Sequence, residues 1–425
     1  MIKWLEDAVF YEVYPQSFRD SNGDGIGDIP GITEKLEYIQ ELGCNALWIN
    51  PCFTSPFYDA GYDVEDYYSV APRYGTNEDL KKLFEAAHQR GMHVLLDLVP
   101  GHTAVTHPWF QESMKAEKNE YTDRYVWTDS LYKRMEDVKG IVSVLRGISP
   151  RPASCGVNCF STQPALNYGF ANITDAGWQQ PTDAPGPMAT REELKNIMRF
   201  WLTLGCDGFR VDMAGSLVKN DEDKKETIRL WQDVRAFLNK EFPEAALVSE
   251  WGKPEVALEA GFDMDFYLHF GDTGYMDLFR GDHPYFGGDP ESDISVFAGI
   301  FAKNQENLRG KGMMCMPSGN HDMARISYQL DEEQMRSYKL KQLKLENMTK
   351  LNDLEMKIKV SAMQLNRKKV ELRNEQYLDS LGSGTTDKVR QAELSYNVAE
   401  LEYEQLKQQY ANEKEVLDAE YQVQE

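Results

Sequence analysis

Hydrophobic positions along the first three quarters of the chain switch repeatedly between two spacings. Short apolar runs, AVFYEVYPQSF, NALWINP, MHVLLDLVP, DGFRVDM, AALVSE, MDFYLHF and GMMCMPS, read as strands. Between them lie helical patterns: Ile32 to Leu42, NEDLKKLFEAAHQRG, TREELKNIMRFWLTLG, DEDKKETIRLWQDVRAFLNKEF and Asp293 to Leu308. Seven strands alternating with helices predict a parallel sheet with crossover helices. The irregular stretch from Gly101 to about Met188 is too long for a plain loop and predicts an inserted subdomain.

The pattern then changes. Leu351, Ile358, Leu365 and Leu372 recur every seven residues. Val389, Tyr396, Tyr403, Tyr410 and Leu417 do the same, with Ala392, Ala399 and Leu406 three positions later. That is the seam of a helical pair. LGSGTTD between the two stretches predicts a tight turn, with Asp387 as the N-cap of the second arm. Composition marks the same border. All 18 prolines lie at or before Pro317, and all eight Trp at or before Trp251.

A net charge of −23 argues against nucleic acid and anionic membrane partners. No apolar run is long enough for a transmembrane helix. MIKWLEDAVFYEVY lacks the apolar centre of a signal peptide, so the chain reads as unexported and cytoplasmic. Six cysteines do not make a disulfide framework, and Cys155 and Cys159 lack a second Cys/His pair for zinc.

Polar residues gather at strand C-termini, where parallel sheets collect functional groups. Asp97 ends the third strand, with His102 just beyond, and GFRVD carries Arg210 and Asp212. LVSE ends in Glu250, and Asn320, His321 and Asp322 follow the seventh strand. Arg210 and Asp212 share a strand face, so the guanidinium is expected to keep Asp212 ionised. A second carboxyl across the pocket, desolvated by a neighbour such as Trp251, is expected to hold a proton. A nucleophile and an acid of this kind are the minimum for retaining glycoside hydrolysis.

These segments, DLVPGH, GFRVDMA, LVSEW and SGNHD, together with YEVYPQSF, SPFYDAGYDVEDY and QPALN, resemble the α-amylase superfamily of glycoside hydrolases over about Met1 to Arg336. The resemblance implies a (β/α)8 barrel with a domain inserted after strand 3. It places Asp212 at the nucleophile position, Glu250 at the acid/base and Asp322 at the carboxylate that supports the transition state. It assigns Asp59, Tyr62, His102, Arg210 and His321 to the sugar beside the cleaved bond, with Tyr62 stacking under the ring. The implied substrate is an α-glucan or oligosaccharide. Ala165 stands where related glucosidases often carry Asp, which leaves the substrate subgroup open.

The loop DSNGDGIGD offers oxygen ligands from Asp20, Asn22, Asp24 and Asp28 and the carbonyl of Ile26, a set suited to structural Ca²⁺.

From about Tyr338 the family pattern stops, with neither an eighth strand nor a following β domain. The expected fold class is therefore α/β: a (β/α)8-type barrel lacking its eighth strand, residues 1–100 and 189–336, with an inserted subdomain at 101–188. An antiparallel α-helical coiled-coil hairpin follows at 337–425, similar to the hairpins of periplasmic adaptor proteins. Two functional classes follow. One is an α-glycoside hydrolase. The other is an inactive barrel fused to a hairpin that makes assembly contacts, including self-association.

Overall fold

The structure, a computed structural model, describes residues 2–268, 273–287, 291–308, 310–326 and 332–424; of 332–349, 418 and 420–424 it describes the backbone alone. The chain divides into two units, Met1–Ala324 and Arg325–Glu425.

In the first unit the strands are β1 (Phe10–Val13), β2 (Ala46–Ile49), β3 (His93–Leu98), β4 (Gly208–Val211), β5 (Ala246–Ser249), β6 (Met264–Phe266) and β7 (Met313–Cys315). They form one seven-stranded sheet in chain order. Every adjacent pair is parallel, with Asp97 opposite Arg210 and Arg210 opposite Val248. This curled sheet with its crossover helices is the wall of a (β/α)8-type barrel. Among the described residues it has no eighth strand, and β1 and β7 are its two ends. The tail of the expected sixth strand, at 269–270, and the helix start expected at 328–331 lie outside the described residues.

Strand alternation sorts side chains into two apolar clusters. Leu47, Ile49, Val94, Leu96, Phe209 and Leu247 belong to the large one, which includes residues of the covering helices. Trp48, Leu95, Ala246, Val248, Met264 and Phe266 form the other with Ile2 and Leu5. Gly208, at φ 147, lets β4 approach β5, because a Cβ there would meet the Ala246 carbonyl oxygen at 2.1 Å.

Helix boundaries follow local chemistry more closely than apolar spacing. The helix expected from Ile32 is two, α1 (Ile29–Glu34) and α2 (Leu36–Glu41). Asp28 caps α1 by accepting from the Gly31 N–H at 2.7 Å, and the backbone breaks at Lys35. A capping box between Thr76 and Asp79 starts α3 (Asn77–His88), and Pro185 starts α4 (Pro185–Leu204) ahead of its expected beginning. Helix α5 (Lys225–Glu241) packs Trp231 fully inside, its Nε1–H donating to the Ala214 carbonyl at 2.9 Å. That bond ties the helix to the turn after Asp212. Helices α6 (Pro254–Glu259) and α7 (Ser295–Leu308) complete the described layer. Between β3 and α4, an antiparallel pair, Ser143–Leu145 with Cys155–Val157, lies in the inserted stretch. The stretch has its own small core of Val126, Met135, Val138, Ile141, Ala165 and Phe170.

The second unit consists of helix α8 (Glu332–Ser380, 49 residues) and helix α9 (Thr386–Gln424, 39 residues). At ~1.5 Å per residue the first arm is about 70 Å long. Gly382, at φ 69, makes the turn between them. The arms pack along the seven-residue seam: Leu354, Ser361, Ala399 and Leu417 are buried, and Leu351, Ile358, Leu365, Tyr396, Tyr403 and Leu406 are half-buried. Asp387 does not cap α9. It lies inside the first turn, where its negative charge faces the positive end of the helix dipole. Among the described residues no helix is long and apolar enough to cross a membrane.

Candidate active site

Arg210 organises the carboxyl ends of β3, β4 and β5. Its Nη1 donates to both oxygens of Asp97, at 2.9 and 3.0 Å, and to Oδ1 of Asp212 at 3.2 Å. Its Nη2 lies 2.8 Å from Oε1 of Glu250. The guanidinium is 2% exposed and stacks over Trp48, 4.8 Å from the ring centroid. A charge this deep persists only because its partners are charged and close.

Asp212 behaves differently from the sequence expectation. Burial holds its carboxyl well above the usual carboxylate range, the charge of Glu250 pushes the same way, and Arg210 opposes them. Glu250 is within hydrogen-bonding reach of it and adds to that upward shift. The backbone turns sharply just after Asp212. Met213 is left-handed, at φ 44 and ψ 40, an uncommon conformation for a non-glycine residue. Trp251 stands against Gly215, where a Cβ would meet its Nε1 at 2.4 Å, and edge-on to Phe262.

On the other flank, Tyr62 donates its hydroxyl hydrogen to Asp97 at 2.9 Å and lies 2.9 Å from Nε2 of His321. The Nδ1–H of His321 donates to Glu12 at 2.8 Å. Burial pulls the His321 pKa down, but Glu12 and Asp322 outweigh it and the net shift is upward, towards the imidazolium. Asn50 donates to Tyr62 and to Glu12, at 3.2 and 3.1 Å. Asp322 is more exposed, its side chain 44% accessible and its Oδ2 3.5 Å from His321 Nε2.

His102 is buried, which lowers its pKa to about 4. The neutral ring donates from Nε2 to the Tyr62 carbonyl at 3.0 Å and accepts at Nδ1 from Asn158 at 3.2 Å. Asp59 accepts from Gln163 at 2.5 Å, and burial raises its pKa. Asp212, Glu250, Arg210, Tyr62, His321 and Asp322 are thus linked through one network. His102 joins it through the Tyr62 backbone, and Asp59, half-buried, is held by the fully buried Gln163.

Sequence reasoning left Glu12, Trp48, Asn50 and Asn158 out of the site. The signals were present for two: Glu12 is an acid inside an apolar strand, and Asn50 directly follows β2.

In the loop at Asp20, oxygen side chains close on the backbone. Asp20 accepts from the N–H groups of Asn22, Gly23 and Gly25, at 3.1, 2.6 and 2.8 Å, which lowers its pKa. Asn22 accepts from Asp24, and Asp24 from Ile26, at 2.9 and 2.8 Å. Asp28 accepts from Ser21 and Gly31. Among the described residues, no three of His, Cys, Asp and Glu are grouped to hold a metal. A cation here would need Asn22 and the Ile26 carbonyl to complete its shell.

The model of the alpha-amylase catalytic domain matches residues 12–354. The trehalose synthase/amylase TreS of Mycolicibacterium smegmatis is 40% identical over 257 residues, covering 58% of this chain and 40% of that protein. The oligo-1,6-glucosidase of Bacillus sp. (strain F5) is 38% identical over 219 residues, covering 52% and 40%. The chain therefore spans well under half the length of these relatives. Among solved structures, the trehalulose synthase MutB from Pseudomonas mesoacidophila MX-45 aligns with a TM-score of 0.61 at 29% identity, covering 77% of this chain and 60% of that one. The sequence match, the barrel-type sheet and the strand-end cluster agree: the chain belongs to the alpha-amylase catalytic-domain family.

Proposed function

We propose that the chain acts on α-glucosidic bonds of an oligo- or polysaccharide by retaining chemistry, with Asp212 as nucleophile, Glu250 as acid/base and Asp322 as stabiliser of the transition state. The observation that carries this reading is the bridging of Asp212 and Glu250 by the two ends of one buried guanidinium. The relatives' names, oligo-1,6-glucosidase and trehalose synthase, support hydrolysis or glucosyl transfer as the reaction class.

Asp212 must be ionised to attack, and Glu250 must carry the proton that goes to the leaving oxygen. The productive state has that proton on Glu250 and the ionised Asp212 facing Arg210, whose charge opposes the upward push on Asp212. Retaining enzymes separate such carboxyls by about 5–5.5 Å, close enough for a covalent glycosyl intermediate; here Asp212 and Glu250 stand closer, within hydrogen-bonding reach, and a sugar entering the site would part them. Water then attacks, with Glu250 acting as base. Asp322, Asp59 and His321 would contact hydroxyls of the sugar, and Tyr62 its face. Ca²⁺ at Asp20, Asn22, Asp24, Asp28 and the Ile26 carbonyl would be structural, supplying rigidity to the loop after β1.

Release of 4-nitrophenol from 4-nitrophenyl α-glucoside tests the reading. The parent chain should turn over, and Asp212→Asn should lose roughly 10³-fold or more in kcat. Near-parental rates in that variant would sink the assignment.

A second reading assigns assembly to the hairpin, by association with a second copy. It rests on exposed apolar residues at seven-residue spacing on the outer face of α8, namely Met356, Met363, Val370 and Tyr377. Sedimentation of the full chain as a monomer across micromolar concentrations would refute it.

A further inference from the structure

Asp265 lies on β6, fully buried, in a strand otherwise built of apolar residues. An acid in such a place needs a reason. Its Oδ1 accepts from three donors: the Ser249 hydroxyl at 2.8 Å, the Trp251 N–H at 3.1 Å and the Gly252 N–H at 3.3 Å. Those donors flank Glu250 on both sides. Oδ2 is buried without a partner, so the carboxyl is not held there by a counter-charge. Burial accordingly pushes its pKa up to about 6.

The register explains the geometry. Ser249 is opposite Asp265 across the β5–β6 ladder, so both side chains project from the same face of the sheet. Val248 is two residues before Glu250, and its side chain belongs to the cluster with Trp48 and Phe266 on the other face. By holding the Ser249 side chain and the backbone N–H groups of 251 and 252 to one side, Asp265 turns residue 250 to the opposite side. There Glu250 meets Arg210 through Oε1 and the Met213 N–H through Oε2. Without the clamp, the chain leaving β5 has no side-chain acceptor for the Trp251 and Gly252 amides.

We infer that Asp265 is a positioning residue for Glu250, which it sets through the backbone on either side without touching the sugar. The inference rests on the proposed role of Glu250 but concerns a residue outside the reacting set. Its prediction is specific to the chemical step. Substrate binding depends on the His102, Tyr62 and His321 side of the pocket, whereas proton transfer depends on where the Glu250 carboxyl stands. A misplacement on the order of 1 Å at the reacting group costs about 10²-fold in rate.

The test compares Asp265→Ala and Asp265→Asn in the full chain by two readouts. In 4-nitrophenyl α-glucoside hydrolysis, Asp265→Ala should lower kcat by roughly 10- to 100-fold with KM within about twofold. Asp265→Asn keeps an acceptor oxygen at Oδ1 and places its amino group where Oδ2 has no partner, so it should recover most of the loss. The second readout is hydrogen exchange of the Trp251 and Gly252 amides, which needs no activity. Exchange should accelerate at least about tenfold in Asp265→Ala and stay near parental in Asp265→Asn. A parent chain that hydrolyses no α-glucoside would defeat the functional reading alone, and the exchange rates would then decide the clamp. Unchanged exchange in Asp265→Ala would overturn the inference. So would a KM that rises as kcat falls, or an Asn variant as impaired as the Ala variant.

Discussion

The backbone N–H of Met213 donates to Oε2 of Glu250 at 2.9 Å, so the residue after Asp212 is tied to the carboxyl across the cleft. The left-handed conformation of Met213 aims that N–H at its acceptor. Such strain, of order 1–3 kcal/mol, persists only where the surroundings fix it. Here Glu250 and the Trp231–Ala214 bond do so.

The proposed role of Glu250 as general acid predicts a loss that is greatest when the leaving group is poor. Glu250→Gln should slow maltose hydrolysis by about 10²- to 10⁴-fold and 4-nitrophenyl α-glucoside far less, because nitrophenolate leaves without a proton. Equal losses on the two substrates would remove Glu250 from that role.

A pH-dependent device sits away from the site. Asp207 accepts from His88 at 2.9 Å and from His93 at 3.1 Å, and from the Val94 N–H at 2.8 Å. Burial raises the Asp207 pKa, yet its hydrogen bonds with His88 and His93 outweigh this and the net shift is downward. The same Asp207 hydrogen bond lifts His88 above its ordinary value. The His88 contribution to stability is complete below about pH 6.5 and is lost as pH rises through the raised value. The Asp207 contribution is complete above about pH 4 and is lost as pH falls through the lowered value. The difference in Tm between the parent and Asp207→Asn should therefore be larger at pH 5.5 than at pH 8.5. A gap that widens towards pH 8.5 would contradict this coupling.

Calcium binding at the Asp20 loop should raise Tm on going from EDTA to millimolar Ca²⁺, because a ligand of the folded state alone stabilises it. The rise should vanish in Asp24→Ala. A parent Tm that is the same with and without the ion would count against the site.

In the hairpin, Leu354 is on the seam and 8% exposed, whereas Met356 is 59% exposed on the outer face. Truncating a buried leucine costs roughly 2–5 kcal/mol and truncating an exposed side chain very little. Leu354→Ala should lower the melting of the helical signal at 222 nm by several degrees, and Met356→Ala should leave it within about 1 °C. Equal shifts would place the seam elsewhere.

The barrel strands and the helical seam were legible because their periodicities are strong and local. Helix starts were less so: Asp28 and Pro185 set the first turns of α1 and α4, upstream of the apolar repeats that suggested those helices. The strand-end residues Arg210, Asp212 and Glu250 were legible from position alone. The upward shift of the Asp212 pKa was not, because it comes first from burial and then from Glu250 on a neighbouring strand, against the adjacent Arg210. Glu12, Asn50, Asn158 and Asp265 escaped for the same reason. Each takes its meaning from a partner far away in sequence, as Glu12 does from His321, 309 residues on.

The crowding of Asp97, Asp212 and Glu250 around Arg210 also bears on how the chain should be assayed. Three carboxyls face one guanidinium, an imbalance that raises the pKa of Asp97 and Asp212 and that an arriving cation would relieve as a proton does. A small polyhydroxylated amine, protonated at neutral pH, offers both a cation for the carboxyls and hydroxyls for the sugar-binding side chains. Amino-alcohol buffers would therefore behave as competitive inhibitors. Rates of the proposed α-glucoside hydrolysis measured in them should be lower than rates in phosphate.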